Sequence, residues 1–478
     1  MKRGNQPEGP RGGKRTRSRA WESLERKMKR TQTLDNVSTK LQRIAELARK
    51  APQMAIRTLA HHIDVEFLHV AYEQTRKDGA VGVDDQTAAD YALDLEGNLR
   101  SLLDRFKSGT YRAPPVRRVE IPKGDGTTRP IGIPTFEDKV LQRAVAMVLS
   151  AVYEQDFLDC SYGFRPGRSA HQAIDSLWAG LMGVKGGWVI DLDIQKFFDS
   201  VDRAHLRAIL DRRVRDGVIR RSIDKWLKAG VQHDGSLWHP DSGTPQGGVI
   251  SPLLANIYLH EVLDVWFEQE VRPRLDGSAC LIRYADDVAI AFEQEVDARR
   301  VMVVLVKRFA KYGLTVHPEK TKLIDFRKPG NGCPRPGSFD MLGFTHFWGK
   351  SRNGWWVVQR KTSRSRFGRA LQRVADWCRR NRHLPVREQH EMLAKKLDGH
   401  YNYFGITGNG RALGRFLHEV TRVWRMWLDR RSRRGHVNWD RFKLLCSRYP
   451  LPTPRIVHSV YQDGRQLRLA PHVIRPVT

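Results

Sequence analysis

The sequence predicts an α+β fold, and three observations carry the prediction. Two apolar, β-rich runs, Ala279-Cys280-Leu281-Ile282-Arg283 and Val288-Ala289-Ile290-Ala291-Phe292, flank the short polar tip Tyr284-Ala285-Asp286-Asp287 and read as a hairpin. Upstream, residues 188–194 are apolar and β-branched except for Asp191 and Asp193, which marks a buried strand carrying acids. Beyond Lys361 the pattern turns helical three times, with breaks at His383-Leu384-Pro385 and at residues 405–410.

The remaining elements follow in order. Residues 37–51 and 52–76 read as helices, and residues 94–107 as another with acid at its start and base at its end. Strands are expected at 116–122 and 129–133, paired around the Gly124-Asp125-Gly126 turn. Helices are expected at 136–153, 203–214, 222–230, 249–270 and 295–312, alternating with the acid-bearing strands. Residues 329–337 form a Pro and Gly loop. Trp424 and Trp427, at helical spacing among arginines, are read as core rather than base-stacking platforms. No internal repeat is visible.

Charge is distributed unevenly along the 478 residues, whose formal net charge is +30. Residues 1–50 carry 15 Lys and Arg against 5 Asp and Glu, and residues 360–478 carry 27 against 8. The intervening 41 against 40 leave a near-neutral centre between two basic ends, a pattern that attracts a polyphosphate chain through counterion release. Gly4 to Arg19, rich in Gly, Pro, Arg and Lys, is expected to stay disordered until it meets RNA. The length implies two or three domains. Five scattered cysteines without zinc spacing fit a reducing compartment, here the cytoplasm. No run reaches membrane-spanning length and no signal peptide is apparent, so no membrane partner is expected.

The acids carry the chemistry. A buried aspartate without a counter-charge is costly, and a divalent cation is the usual remedy. Asp193, Asp286 and Asp287 suit a site for two Mg²⁺ ions, with Mn²⁺ able to substitute. The alternative, that Asp191 or Asp193 caps the helix beginning near Val201, is disfavoured for Asp193 because Lys196-Phe197-Phe198 intervenes.

In its order of motifs the chain resembles the reverse transcriptases and maturases encoded by bacterial group II introns. The resemblance runs from about Gly79 to about Ser459. Residues 121–134, containing Ile121-Pro122-Lys123-Gly124-Asp125-Gly126, resemble the fingers motif, and Ser161-Tyr162-Gly163-Phe164-Arg165-Pro166-Gly167-Arg168-Ser169 follows in place. The Asp193 strand is similar to motif A, Gly243-Thr244-Pro245-Gln246-Gly247-Gly248 to motif B, and the Asp286-Asp287 hairpin to motif C. His317-Pro318-Glu319-Lys320-Thr321-Lys322 resembles motif D, and Phe339-Asp340-Met341-Leu342-Gly343-Phe344 the primer grip. Pro450-Leu451-Pro452 and Arg455-Ile456-Val457-His458-Ser459 resemble the maturase ending.

The resemblance implies a right-hand polymerase. A basic, partly disordered extension (1–55) precedes fingers (56–186) and a palm with an antiparallel sheet (187–350). A helical thumb (351–434) and a basic maturase segment (435–478) follow. It also implies roles. Asp193 and Asp286 would hold both metals, with Asp287 nearby and the Ile194 carbonyl completing one shell. Lys123 and Arg129 would grip the triphosphate, Gln246 would lie beside the new base pair, and Lys320, with Lys322 as second choice, would protonate pyrophosphate. Phe198, five residues past Asp193, would exclude a ribose 2′-hydroxyl. Arg165, Arg168, Arg430, Arg431, Arg433 and Arg434 would contact RNA.

The function so implied is RNA-directed DNA synthesis on intron RNA during retrohoming, together with help in splicing that RNA. The expected partners are group II intron RNA, an RNA template with a DNA primer, deoxynucleoside triphosphates and a DNA target, with nucleoid association during integration. A polymerase recruited for host use, in CRISPR adaptation or phage defence, and an RNA-folding cofactor with a vestigial site are the alternatives. Many relatives continue into a DNA-binding segment and a His-Asn-His endonuclease; no such extension follows Thr478 here, which puts second-strand nicking in doubt.

Overall fold

The computed structural model describes residues 13–122, 128–233, 236–238, 247–330, 336–351, 353–431 and 436–459, with residues 13–30 described by backbone alone. The chain divides into two compact units whose segments interleave: residues 1–123, 127–157 and 198–258 in the first, and 124–126, 158–197 and 259–478 in the second.

In the first unit the Phe136–Tyr153 helix begins where expected, because the Thr135 side chain accepts from the Asp138 N–H. Its buried Leu141, Val145, Val148 and Val152 share the unit's core with Phe67 and Leu68 of the Val65–Gln74 helix. Leu95–Ser108 is capped by Asp94 and closed by Gly109 in the left-handed region. The strands Val116–Pro122 and Thr128–Ile133 pair antiparallel as predicted; the turn at Gly124-Asp125-Gly126 lies outside the described residues. They extend into a four-stranded sheet through Val231–His233 and Ser236–Trp238.

Two expectations for the N-terminal region fail. The helix Gly13–Lys50 already includes residues expected to be disordered, while residues 4–12 lie outside the described residues. The helix expected over 52–76 exists only as Val65–Gln74, with a short turn at Ala60–His62. Tertiary bonds explain the break. Buried Arg213 donates to the carbonyls of Ala48, Ala51 and Met54 and pairs with Asp156, satisfying orphan acceptors at the end of the long helix. Ile56 exchanges backbone bonds with Arg213 and Arg215, and Asp216 accepts from the Leu59 and Ala60 amides.

The second unit holds a four-stranded antiparallel sheet in the order Ala279–Tyr284, Asp287–Phe292, Trp188–Leu192, Lys322–Asp325. One face, including Val189, Cys280, Ile282, Ala289 and Ala291, packs on Ala173, Leu177 and Leu181 of the Ala170–Gly183 helix. A second, three-stranded sheet runs Phe339–Met341, Phe344–Lys350, Trp356–Thr362.

Three helices follow as predicted, Arg364–Arg380, Val386–Phe404 and Gly410–Asp429, and a fourth, Trp439–Arg448, was not anticipated. Trp424 is fully buried in their common core and Trp427 partly so, as expected. The segment after the fourth helix straps back across the bundle. Tyr401 Oη donates to the Pro452 carbonyl at 3.1 Å, and the amides of Val457 and His458 both donate to the Gly405 carbonyl, at 2.7 and 2.9 Å.

Candidate active site at the hairpin tip

Tyr284 pairs with Asp287, so Ala285 and Asp286 are the two turn residues of the hairpin. Ala285 adopts φ +58°, the left-handed backbone that such turns demand and that a non-glycine residue resists. Asp286 therefore sits half-buried at the tip, and Asp287, first in the returning strand, is exposed.

The neighbouring strand supplies the third acid. Asp191 pairs with Ala289 and Leu192 with Val288, so the next step of the register sets Asp193 opposite Asp287. Side-chain alternation puts Asp191, Asp193 and Asp287 on one face. The Asp193 backbone is pinned on its far side: its N–H donates to Thr321 Oγ1 at 3.2 Å and its carbonyl accepts from the His317 N–H at 2.9 Å. The same segment delivers Lys320, whose Nζ lies 3.4 Å from Asp193 Oδ2. Asp202, not Asp191 or Asp193, caps the following helix Arg203–Arg213.

The acids feel one another. The Asp191 carboxyl is pushed up to about 7, first by burial and then by Asp287 and Asp193, with Asp340 adding and cross-strand Lys322 opposing. A face that penalises its own negative charge fits a divalent cation, and an all-oxygen donor set fits a hard one. Among the described residues, no three His, Cys, Asp or Glu side chains close on one point as a ready-made metal cage.

Sequence reasoning missed what stands behind the turn. Arg283, inside the apolar run, is fully buried and forms a two-pronged ion pair with fully buried Asp264, Nε to Oδ1 at 2.8 Å and Nη2 to Oδ2 at 2.6 Å. Burial works against the Arg283 charge, but Asp264 outweighs it and holds the guanidinium above its ordinary range. The only advance signal was a charged residue between Ile282 and Tyr284. The loop 160–169 also packs here. The Arg283 N–H donates to the Cys160 carbonyl and the Tyr162 N–H to the Arg283 carbonyl.

Arg165, expected to contact RNA, is instead 7% exposed and donates to the Leu158 and Ser161 carbonyls, bracing that loop from inside. Arg168 pairs with Asp159 beside the Tyr162 ring. Arg430 lies over the Trp427 ring and Arg431 donates to the His383 carbonyl, whereas Arg433 and Arg434 lie outside the described residues.

Ile194 is buried and bridges to Val316. Phe197 is buried and Phe198 half-buried on the single turn Phe197–Ser200, so the first is the core aromatic of the pair. Arg129 is exposed on the Thr128–Ile133 strand. Lys123 and Gln246 lie outside the described residues; Gly247, next in the chain, has φ +121°, and a β-carbon there would stand 2.4 Å from the Gly132 carbonyl oxygen.

Residues 121–346, which include both acid-bearing strands, match the family described as reverse transcriptase (RNA-dependent DNA polymerase). The chain carries a reverse transcriptase domain. Members of this family generally use divalent metal ions. Curated relatives include the group II intron-encoded protein LtrA of Lactococcus lactis subsp. cremoris, 38% identical over 41% of this chain and 33% of the relative. The Escherichia coli (strain K12) protein YkfC is 40% identical over 41% of this chain and 52% of its own length. The Arabidopsis thaliana protein named nuclear intron maturase 2, mitochondrial, is 27% identical over 30% of this chain and 24% of its own length. The chain thus spans about a third of LtrA and about half of YkfC. Among the described residues, no helix is long and apolar enough to cross a membrane.

Proposed function

We propose that this reverse transcriptase is encoded by a group II intron, copies intron RNA into DNA during retrohoming, and binds that RNA as a maturase to assist its splicing. The observation that carries the polymerase reading is the convergence of Asp193, Asp287 and Lys320 beside the Asp286 tip, inside a reverse transcriptase domain. The names of the intron-encoded relatives and the basic region 360–478 support the maturase reading.

In this reading the fingers, palm, thumb and maturase segments take the boundaries expected from the sequence. Asp193 and Asp286, with Asp287 and the Ile194 carbonyl, would hold two Mg²⁺ ions, and the chemistry these would supply is a lowered pKa for the primer 3′-hydroxyl and positive charge opposite the leaving pyrophosphate. The Asp193 main chain is fixed by its Thr321 and His317 bonds, so its side chain enters the site from one fixed point. Lys320 holds its proton at Nζ beside Asp193 and yields it to the pyrophosphate oxygen. Arg129 and Lys123 bind the triphosphate of an incoming deoxynucleotide, the Arg129 fork donating in parallel. Gln246 supports the nascent base pair and Phe198 screens the sugar. Arg168, Arg430, Arg431, Arg433 and Arg434 lie along the RNA, and Arg165 holds the loop that presents Arg168. The protein works in the bacterial cytoplasm and at the nucleoid, where its DNA target lies.

The test is primer extension on an RNA template with purified protein and Mg²⁺. Asp193→Ala and Asp286→Ala abolish extension while leaving RNA affinity largely intact, and Asp286→Ala still promotes intron splicing at low salt. Full extension by either variant overturns the polymerase assignment; failure of folded, RNA-binding Asp286→Ala protein to promote splicing overturns the maturase one.

A further inference from the structure

We propose that Arg283 is a positioning residue for polymerisation: its sealed ion pair with Asp264 holds the Ala285 carbonyl, and through it the main chain that carries Asp286 and Asp287. The inference rests on the reading of those acids given above.

Every nitrogen of the guanidinium is committed. Nε and Nη2 bind Asp264, Nη2 also donates to Ser161 Oγ at 2.7 Å, and Nη1 donates to the Ala285 carbonyl at 3.1 Å. The residue it holds is the strained one. A left-handed alanine is strained and persists only where its surroundings over-determine it. Ala285 is fixed from two sides, by Arg283 on its carbonyl and by Gly163 packed against its amide nitrogen. The Arg283 backbone is itself locked to Cys160 and Tyr162, so the grip has a rigid base.

Stability alone is a poor reason for this pair. Buried ion pairs are often replaced by apolar side chains of similar volume at no cost, or with a gain. What an apolar pair cannot supply is a directed N–H on the carbonyl of a turn residue. Asp264 reaches Arg283 from the π-helical stretch His260–Val265, and wide turns of this kind recur where a helix must aim a side chain at a functional site.

Two variants separate positioning from folding. Arg283→Lys keeps the charge opposite Asp264 but loses the fork that spans Asp264 and Ala285. The double variant Arg283→Met, Asp264→Leu removes both charges and keeps the volume. Single-nucleotide addition, thermal unfolding, primer–template affinity and amide hydrogen exchange at residues 285–287 are measured for each. In the folded variants, kcat falls roughly 10- to 100-fold, the scale of a displaced reacting group, while the nucleotide KM and primer–template affinity change less than about threefold. Exchange at residues 285–287 accelerates at least about tenfold as local opening becomes easier.

A double variant that is folded, with wild-type kcat and wild-type exchange, overturns the proposal, as does activity that merely tracks the folded fraction. Should Arg283→Lys fail to fold, the double variant decides alone; should the double variant fail, Arg283→Lys decides; should both fail, the pair is structural and the proposal is overturned. Should wild-type protein not extend primers at all, the polymerase reading fails, and exchange at residues 285–287 still decides whether Arg283 holds the turn.

Discussion

Gly163 stands against Ala285 so closely that a β-carbon on Gly163 would lie 2.4 Å from the Ala285 amide nitrogen. Gly163→Ala must therefore push the turn that carries Asp286. Primer extension is expected to fall about 10- to 100-fold with RNA affinity unchanged, the scale of a misplaced reacting group. Gly167→Ala is the control. Gly167 has φ +70° but nothing within 4 Å of the added carbon, so the change costs about 1 kcal/mol of strain and leaves extension nearly intact. Equal losses in the two variants would show that the loop, not the Gly163–Ala285 contact, matters.

Metal should stabilise the fold as well as serve the reaction. The carboxylates of Asp191, Asp193 and Asp287 repel one another in the free protein, so a cation among them favours the folded state. At tenfold excess over its dissociation constant, Mg²⁺ adds about 1.4 kcal/mol, visible as a rise in thermal midpoint that EDTA reverses. Asp193→Asn should lose most of that rise. The same Mg²⁺ response in wild type and variant would place the ion elsewhere.

Sugar selection is expected to depend on the half-buried Phe198 rather than the buried Phe197. Phe198→Ala opens space for a 2′-hydroxyl and should raise ribonucleotide use relative to deoxyribonucleotide by about 10- to a few-hundredfold in kcat/KM. Matched single-nucleotide extensions on an RNA template measure it. Relaxed sugar choice in Phe197→Ala alone would shift the register of the strand by one and reopen the assignment of Asp193.

A pH effect is expected within the first unit. Asp138 is buried and accepts from Tyr111, Trp226 and Gln142, yet burial, the largest influence, pushes it up to about 6. A carboxyl raised on folding stabilises fully below its unfolded value, near 3.8, and loses that contribution as pH climbs through its folded value. Between pH 4 and pH 6.5 the stability difference should therefore shift toward Asp138→Asn, on the order of 1–3 kcal/mol. Denaturant midpoints for both proteins at the two pH values measure it, and a shift of opposite sign would mean that Asp138 folds as the charged form.

What the sequence disclosed was local. Two apolar runs around a polar tip located the hairpin and its acids, and the helix starts expected at 94 and 136 lie within a residue of the helices that Asp94 and Thr135 cap. What it concealed was settled by partners far along the chain. Residues 52–62 look helical alone, but Arg213 and Asp216, more than 150 positions away, capture their backbone. Arg283 looks like an intruder in a strand until Asp264 supplies its counter-charge from a helix. The helix Trp439–Arg448 was masked by its basic composition, and only Phe442 among its residues is fully buried in the bundle core.

The strap across the helical bundle sets an order of events during synthesis. Gly405 ends one helix, yet both amides bonded to its carbonyl belong to Val457 and His458, and a β-carbon on Gly405 would stand 2.6 Å from the Arg455 carbonyl oxygen. The three helices leave the ribosome well before those residues do. The junction at Gly405 thus stays open while its partners are still in the exit tunnel, and the bundle closes only after release of that stretch. A premature stop between Arg448 and Arg455 would leave a bundle with every helix translated and its clasp missing.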